Sequence, residues 1–567
     1  MIASFSTLLP PGLLLIAGAI LLPLVPARLS GAYMLMLPVL GFLQLLALPA
    51  EASVTIELFG LTLELLRVDR LSLLFGYIFH IAAFLSIIYA LGIRDTMQRV
   101  AALIYAGAAI AALFAGDLVT LFVYWELTAI SSVFLIWASR NERAYRAGMR
   151  YLVIQVGSGV ILFVGLLLHY NETGSIEFDH LGLSSMGTAL IFAAFGIKCA
   201  FPLMHNWLQD AYPEATVTGT VFLSAFTTKL AVYTLARGFA GTEMLIWIGA
   251  LMAAFPIFYA VIENDLRRVL AYSLNNQLGF MVVGIGVGTE LALNGTAAHA
   301  FAHILYKALL FMSVGAVLLR TGTAKGSELG GLYKSMPLTA AFCIVGAASI
   351  SAFPLFSGFV SKSLIMSATV DNGYLWVWLV LLFASAGVVE HAGIKVPYFA
   401  FFGPDNGTRV AEAPRSMLIA MGLTAFLCIA IGVYPAPLYL ILPYATDYDP
   451  YTVTHVVTQL QLLLLAILGV AVLMRTGLYP HEQRAINLDF DWIYRKAAPI
   501  AISTMVAVAA PVDAGFRRGV ISRFNRLVDG LFRHHGPRGI LARTWPTGSM
   551  VLWVAILLAS YLIIYYL

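Results

Sequence analysis

An all-α, polytopic membrane protein is the fold class this sequence predicts, and three observations predict it. Of 567 residues, 60% are hydrophobic and 11% charged, so charge is sparse within long apolar runs rather than spread over a water-facing surface. Sixteen of those runs are candidate spans, since crossing a hydrocarbon core takes roughly 20 helical residues. Lysine and arginine concentrate in alternate loops, as the bias of cytoplasmic loops requires. A membrane barrel would instead need short alternating segments.

The first two runs cover about 11–27 and 30–49. The first lacks a basic leader and a small-residue cleavage site, so it reads as a span and not a removed signal. Val54 to Leu66 then alternates like a short hairpin. Spans three to eight follow at about 71–92, 99–115, 117–138, 149–169, 186–207 and 215–239. The next four lie at about 243–262, 268–289, 295–319 and 336–370, and the last four at about 374–402, 416–440, 457–474 and 549–567. Pro202 breaks the seventh span. The twelfth is too long for one straight helix, and Pro354 with Gly358 breaks it.

Loops after odd-numbered spans carry Arg94 and Arg99, Arg140, Arg143, Arg146 and Arg150, and Arg267 and Arg268, which makes them cytoplasmic. Those after even-numbered spans are mostly acidic or neutral, with Glu172, Glu177, Asp179, Glu290, Asp371, Asp447 and Asp449, and Arg67 and Arg70 as exceptions. Between Gly477 and Trp545 arginines, including Arg484, Arg517, Arg518, Arg523, Arg526, Arg533 and Arg538, interleave with apolar residues. An amphipathic helix at the cytoplasmic interface fits part of this segment, and a flexible basic linker is the alternative. The chain thus divides into N-terminal helices and hairpin (1–70), a core (71–405), further core helices (406–476), the basic segment (477–548) and a final helix (549–567).

Net charge of +4 is too small to suggest nucleic acid. Cys199, Cys343 and Cys428 all fall in apolar runs, which supports packing roles and no disulfide framework, metal site or cofactor. No cluster suits iron–sulfur or nickel, and no glycine-rich nucleotide loop follows a strand, so the chain is read as a transporter component and not as a redox catalyst.

Ionisable residues inside spans are costly and point to function. Glu126 in the fifth span needs a partner, and Lys198 is the candidate; the pair is either structural or proton-handling. Lys229 lies well inside the eighth span unless it snorkels to the interface. His299, His303 and Lys307 share one helical face and suit a proton relay or core hydrogen bonding. Lys362 follows the twelfth-span break. In the thirteenth span, Glu390, His391 and Lys395 are accessory candidates, with Pro397 able to place Lys395 at the interface. Phe201-Pro202-Leu203 recurs as Phe353-Pro354-Leu355. Broken helices separated by an odd number of spans imply two inverted halves around an ion or substrate site.

The stretches Trp125-Glu126-Leu127, Lys198 to Asp210, Asp265-Leu266-Arg267-Arg268-Val269-Leu270-Ala271-Tyr272-Ser273, His303-Ile304-Leu305-Tyr306-Lys307 and Gly358-Phe359-Val360-Ser361-Lys362 resemble the antiporter-like proton-conducting subunits. That family is shared by respiratory complex I, membrane-bound hydrogenases and Mrp-type sodium/proton antiporters. Within it, Asp489-Phe490-Asp491-Trp492-Ile493-Tyr494-Arg495 favours the D-type component of the Mrp antiporters. The resemblance implies about fourteen core helices with inverted five-helix repeats and broken seventh and twelfth helices. It assigns Glu126 and Lys198 as a coupling pair, Lys229 as central carrier, His303 and Lys307 as relay, Lys362 as terminal gate, and His205 an accessory place.

The function these readings imply is proton translocation in a multisubunit sodium/proton antiporter of a bacterial inner membrane, with other membrane subunits as partners and sodium handled by the complex. The alternatives are a proton-pumping subunit of a quinone oxidoreductase or hydrogenase, and the proton-channel partner of an inorganic carbon uptake system.

Overall fold

The computed structural model describes residues 9–49, 51–479, 482, 487, 489–537, 539–543 and 546–567. Arg484, Arg538 and Trp545 lie outside the described residues. Helices α1 (Pro11–Leu21) and α2 (Ser30–Ala47) lead to an antiparallel hairpin, β1 (Ser53–Leu58) and β2 (Leu61–Arg67), where the alternation predicted it. Then come α3 (Arg70–Ala90), α4 (Thr96–Leu113), α5 (Leu118–Trp137), α6 (Glu142–Thr173) and α7 (Met186–Lys198). The eighth run is split into α8 (Val217–Ala225) and α9 (Thr227–Gly238), followed by α10 (Met244–Ile262), α11 (Leu266–Val287) and α12 (Glu290–Thr321). The twelfth run is α13 (Pro337–Ile350) and α14 (Ser357–Asp371), with α15 (Leu375–Val388), α16 (Arg415–Val433) and α17 (Val453–Thr476) beyond.

Among the described residues thirteen helices are long and apolar enough to cross a membrane. Helix α11 matches the tenth predicted span but is not one of the thirteen: Ser273, Asn275, Asn276 and Gln277 dilute its apolar character and are buried. A fully buried polar row of this kind needs an interior purpose.

The fold is built twice over. Leu118 N donates to Ile176 O and Phe178 N to Gly116 O; further along, Leu266 N donates to Ala324 O and Gly326 N to Asn264 O in the same pattern. Helices α6 and α12 are both 32 residues long, start on a side-chain cap (Asn141 and Thr289) and end on a left-handed glycine, Gly174 and Gly322. The two breaks match as well. Ala200 and Leu203 have φ of 62° and 70°, Ala352 and Leu355 of 57° and 73°. Phe201 N reaches back to Gly196 O, and Phe353 N to Ala348 O, both at 3.0 Å. The three-residue sequence match therefore marks a backbone repeat of five-helix units.

Gly358 sits in the first turn of α14 rather than in the break itself. Its role is close approach, because a Cβ there would overlap the Ser349 carbonyl. In the thirteenth run, α15 continues through π-turns at Val389–Ile394 and Tyr398–Phe402. Pro397, which lacks an N–H, is accommodated between them. Lys395 is consequently buried inside the fold instead of reaching an interface.

The described chain forms two compact units, Met1–Asp489 and Phe490–Leu567. The second contains α18 (Ala498–His535) and α19 (Thr547–Tyr566). Helix α18 is apolar in its first half and carries Arg517, Arg518, Arg523, Arg526 and Arg533 in its second. The helix Arg495–His535 is long and apolar enough to be a span that the sequence count did not include.

Candidate functional site

The site follows the two helix breaks and the ionisable residues around them. Glu126 is half-buried on α5, with Oε1 enclosed and, among the described residues, without a hydrogen-bond partner. The oxygen packs against Gly159 of α6, where a Cβ would overlap it. The predicted Glu126–Lys198 contact pair is not formed. Lys198 Nζ, fully buried at the end of α7, donates to the Trp125 carbonyl at 2.5 Å and to Thr128 Oγ1 at 2.9 Å. It also lies 4.1 Å from the Trp125 ring centre. Neutral oxygens and a π-face thus satisfy the ammonium, while Glu126 stays within Coulombic range.

Lys229 is buried, not snorkelling. The chain breaks at Phe226 between α8 and α9, and Nζ donates to the Ser224 carbonyl at 2.6 Å. On the other side of that break, Thr227 N donates to Tyr105 Oη at 3.0 Å. Lys229 faces Cys199, the residue after Lys198, and is in Coulombic range of Lys307 and His303.

Lys307 Nζ crosses from α12 to α11, donating to Ser273 Oγ at 2.9 Å and the Leu270 carbonyl at 3.3 Å. One turn earlier on α12, His303 is fully buried, and neither ring nitrogen has a partner among the described residues. Its ring centre is 5.2 Å from Tyr306 and 6.3 Å from His299. His299 touches Ser361 Oγ through Nδ1 at 3.0 Å and Gln277 Oε1 through Nε2 at 3.1 Å. The Gln277 oxygen can only accept, so Nε2 carries a proton; the single Ser361 hydroxyl hydrogen is shared between Nδ1 and the Ser357 carbonyl, 3.0 Å away. Lys362, on α14, donates to the Ile350 carbonyl at 3.3 Å and sits 4.9 Å from the Phe280 ring centre.

The ammonium groups of Lys198, Lys229, Lys307 and Lys362 therefore share one design. Each is held by carbonyl or hydroxyl oxygen, with no carboxylate in contact among the described residues. Two of the carbonyls, Ser224 and Ile350, are freed by helix breaks. Sequence reasoning found the charged members. It missed Gln277, Ser361, Thr128 and Tyr306, which are neutral and carry no signal in an apolar run except polarity itself.

The remaining accessory residues have partners of their own. His205 Nε2 meets Asp489 Oδ2 at 2.6 Å. Lys395 donates to the carbonyls of Ala260, Val261 and Glu263 at the end of α10 and pairs with Glu482 at 2.9 Å. Tyr479 donates to Glu390 Oε1 at 2.6 Å. His391 is buried in the first π-turn, in Coulombic range of Lys307, Lys362 and Lys395. Among the described residues no group of His, Cys, Asp and Glu could hold a metal ion.

Inverted repeats with paired breaks and buried lysines define a multi-pass membrane protein of the transporter type. Residues 115–387 match the family described as NADH:quinone oxidoreductase/Mrp antiporter, transmembrane. Hydrogenase-4 component B of Escherichia coli (strain K12) is 30% identical over 410 residues, 63% of this chain and 61% of that protein. The D component of the Na(+)/H(+) antiporter of Alkalihalophilus pseudofirmus is 30% identical over 318 residues, 52% and 64% of the two chains. The N component of the NADH-quinone oxidoreductase of Desulforudis audaxviator is 31% identical over 349 residues, 56% and 69%. In the structure of the Mrp complex from Dietzia sp. DQ12-45-1b, one chain superposes with a TM-score of 0.69 at 21% identity, over 78% of this chain and 96% of that one. The chain belongs to the NADH:quinone oxidoreductase/Mrp antiporter transmembrane family. It spans less than two thirds of the first two of these relatives.

Proposed function

We propose that the chain is the proton-translocating subunit of a multisubunit sodium/proton antiporter in a bacterial inner membrane. Protons pass between Glu126, Lys198, Lys229, His303, Lys307 and Lys362, with other membrane subunits completing sodium transport. One observation carries this reading: four buried lysines are solvated by neutral oxygens. A lysine locked to a carboxylate would hold its proton, whereas one held by carbonyls and hydroxyls can exist in either charge state. Charging one lysine repels the charge on the next, so a proton entering at one end favours release further along.

The relatives' names favour a second reading, in which the same relay serves a redox-driven hydrogenase or quinone oxidoreductase. Proton flux into membrane vesicles containing the chain with its co-encoded subunits separates the two. Flux driven by a sodium gradient supports the antiporter; flux driven only by an electron donor and acceptor supports the redox complex. Lys229→Ala should abolish either, and undiminished flux would remove Lys229 from the relay.

A further inference from the structure

Beside Lys362 lies a cavity of about 20 Å³, room for about one water molecule. Its polar wall comes from three helices: Lys362 and Ser363 on α14, Ser385 on α15, and His455 and Gln459 on α17. His455 carries little signal in the sequence, because it stands near the start of an apolar run with no other charge beside it. Its ring lies flat on Phe359, with centres 4.4 Å apart and planes 14° from parallel. Nδ1 is 2.6 Å from the Pro450 carbonyl. A carbonyl only accepts, so Nδ1 carries the proton and Nε2 of the neutral ring holds a free lone pair.

The position gives this lone pair a use. Lys362 is buried, whereas His455 is only partly so. Helix α17 begins at its Thr452 cap, directly after the acidic loop with Asp447 and Asp449, on the side opposite the arginine-rich loops. The cavity thus joins buried Lys362 to a partly exposed side chain in the first turn of α17, next to the acidic loop.

Resting on the relay proposed above, the geometry assigns His455 as the outer proton-transfer group of this chain, exchanging protons with Lys362 through the cavity. In the outward direction the Lys362 ammonium gives a proton to water in the cavity, and that water gives one to His455 Nε2. Lys362 becomes neutral and His455 an imidazolium, so charge is conserved. The Phe359 face lies against the ring when it is cationic. Release of a proton from the imidazolium to outside water resets it. Gln459, whose Nε2 is 3.4 Å from the Ser351 carbonyl, borders the cavity toward the helix break.

The test uses vesicles containing the chain with its co-encoded subunits, with chain abundance measured in each preparation. His455→Ala should lower proton flux on the order of a hundredfold at unchanged abundance, and His455→Gln should be equally impaired. Added imidazole should restore flux to His455→Ala, with 4-methylimidazole and 1,2,4-triazole ranking by basicity. A purely packing role would be corrected by glutamine and would ignore that ranking. Normal flux in both variants, or a loss that no azole restores, overturns the assignment while a dead Lys362→Ala keeps the relay. Normal flux in Lys362→Ala would overturn the relay and the assignment together.

Discussion

Lys198 and Glu126 are electrostatic neighbours that do not touch: the ammonium is bound to the Trp125 carbonyl and Thr128 hydroxyl, and the carboxylate packs on Gly159. This separation leaves the carboxylate position dependent on a missing side chain. Gly159→Ala would drive a methyl group into Oε1 and move it. Proton flux in Gly159→Ala should therefore fall on the order of tenfold or more, approaching the effect of Glu126→Gln. Wild-type flux in Gly159→Ala would show that the carboxylate position is unimportant.

Replacing Thr128 tests the other half of that relationship. Thr128→Val keeps shape but removes one of the two oxygens on the Lys198 ammonium. Losing a hydrogen bond to a charged group costs about 1.5–3 kcal/mol, and the cost falls on the charged form alone. The variant should shift the pH profile of flux toward lower pH, because Lys198 then gives up its proton more readily. An unshifted profile would mean that Lys198 does not titrate during turnover.

How much of this was legible follows from what each residue contributes to an apolar run. A lysine or glutamate within a span is conspicuous, so Glu126, Lys198, Lys229, Lys307 and Lys362 stand out in the sequence, whereas His455 at the edge of a run does not. Pro202 and Pro354 revealed two breaks for the same reason. The break at Phe226 has neither proline nor glycine at its hinge, and the partner that holds its far side, Tyr105, comes from tertiary packing. Glu126 and Lys198 are neighbours in Coulombic range rather than in contact, because the carbonyl and hydroxyl that compete for the ammonium are visible only in three dimensions. Gln277 and Ser361 carry no charge to betray them. The repeat showed three letters, yet its backbone matches at the breaks, at the loop bridges and in the caps and lengths of α6 and α12.

The alanines of the two breaks offer a stability test. Ala200 and Ala352 occupy the left-handed region, where a β-branched side chain meets its own backbone. Ala352→Val should destabilise by about 1–3 kcal/mol, read as a lower apparent Tm of the purified complex. Ala352→Gly should be tolerated, since glycine adopts that conformation freely. Equal Tm values for the two would argue against the left-handed break.

Glu482 supplies a pH test outside the spans. Burial raises its carboxyl pKa above the ordinary value of 4.5, and Lys395 beside it lowers it, with a net upward shift. A raised folded value means that the folded chain holds the proton more tightly than the unfolded chain. This stabilising contribution is complete below the unfolded value and is lost as pH rises through the folded value. Glu482→Gln removes the dependence, so its apparent Tm should fall less than wild type's as pH rises above the ordinary carboxyl value of 4.5. Parallel curves would show that Glu482 does not titrate on unfolding.

The hinge at Phe226 gives the last prediction. Tyr105 accepts from Thr227 N and is 2.6 Å from Thr227 Oγ1, while Lys229 takes up the Ser224 carbonyl. Tyr105→Phe deletes one oxygen and leaves a buried amide unsatisfied, at a cost of about 1–3 kcal/mol. The strain falls on the hinge that positions Lys229, so flux should drop along with apparent Tm. Lys229→Met, which keeps much of the chain length but not the charge, should abolish flux and need not share the Tm loss. If Tyr105→Phe lowers Tm while flux per assembled complex stays at wild type, the hinge is structural and Lys229 does not depend on it.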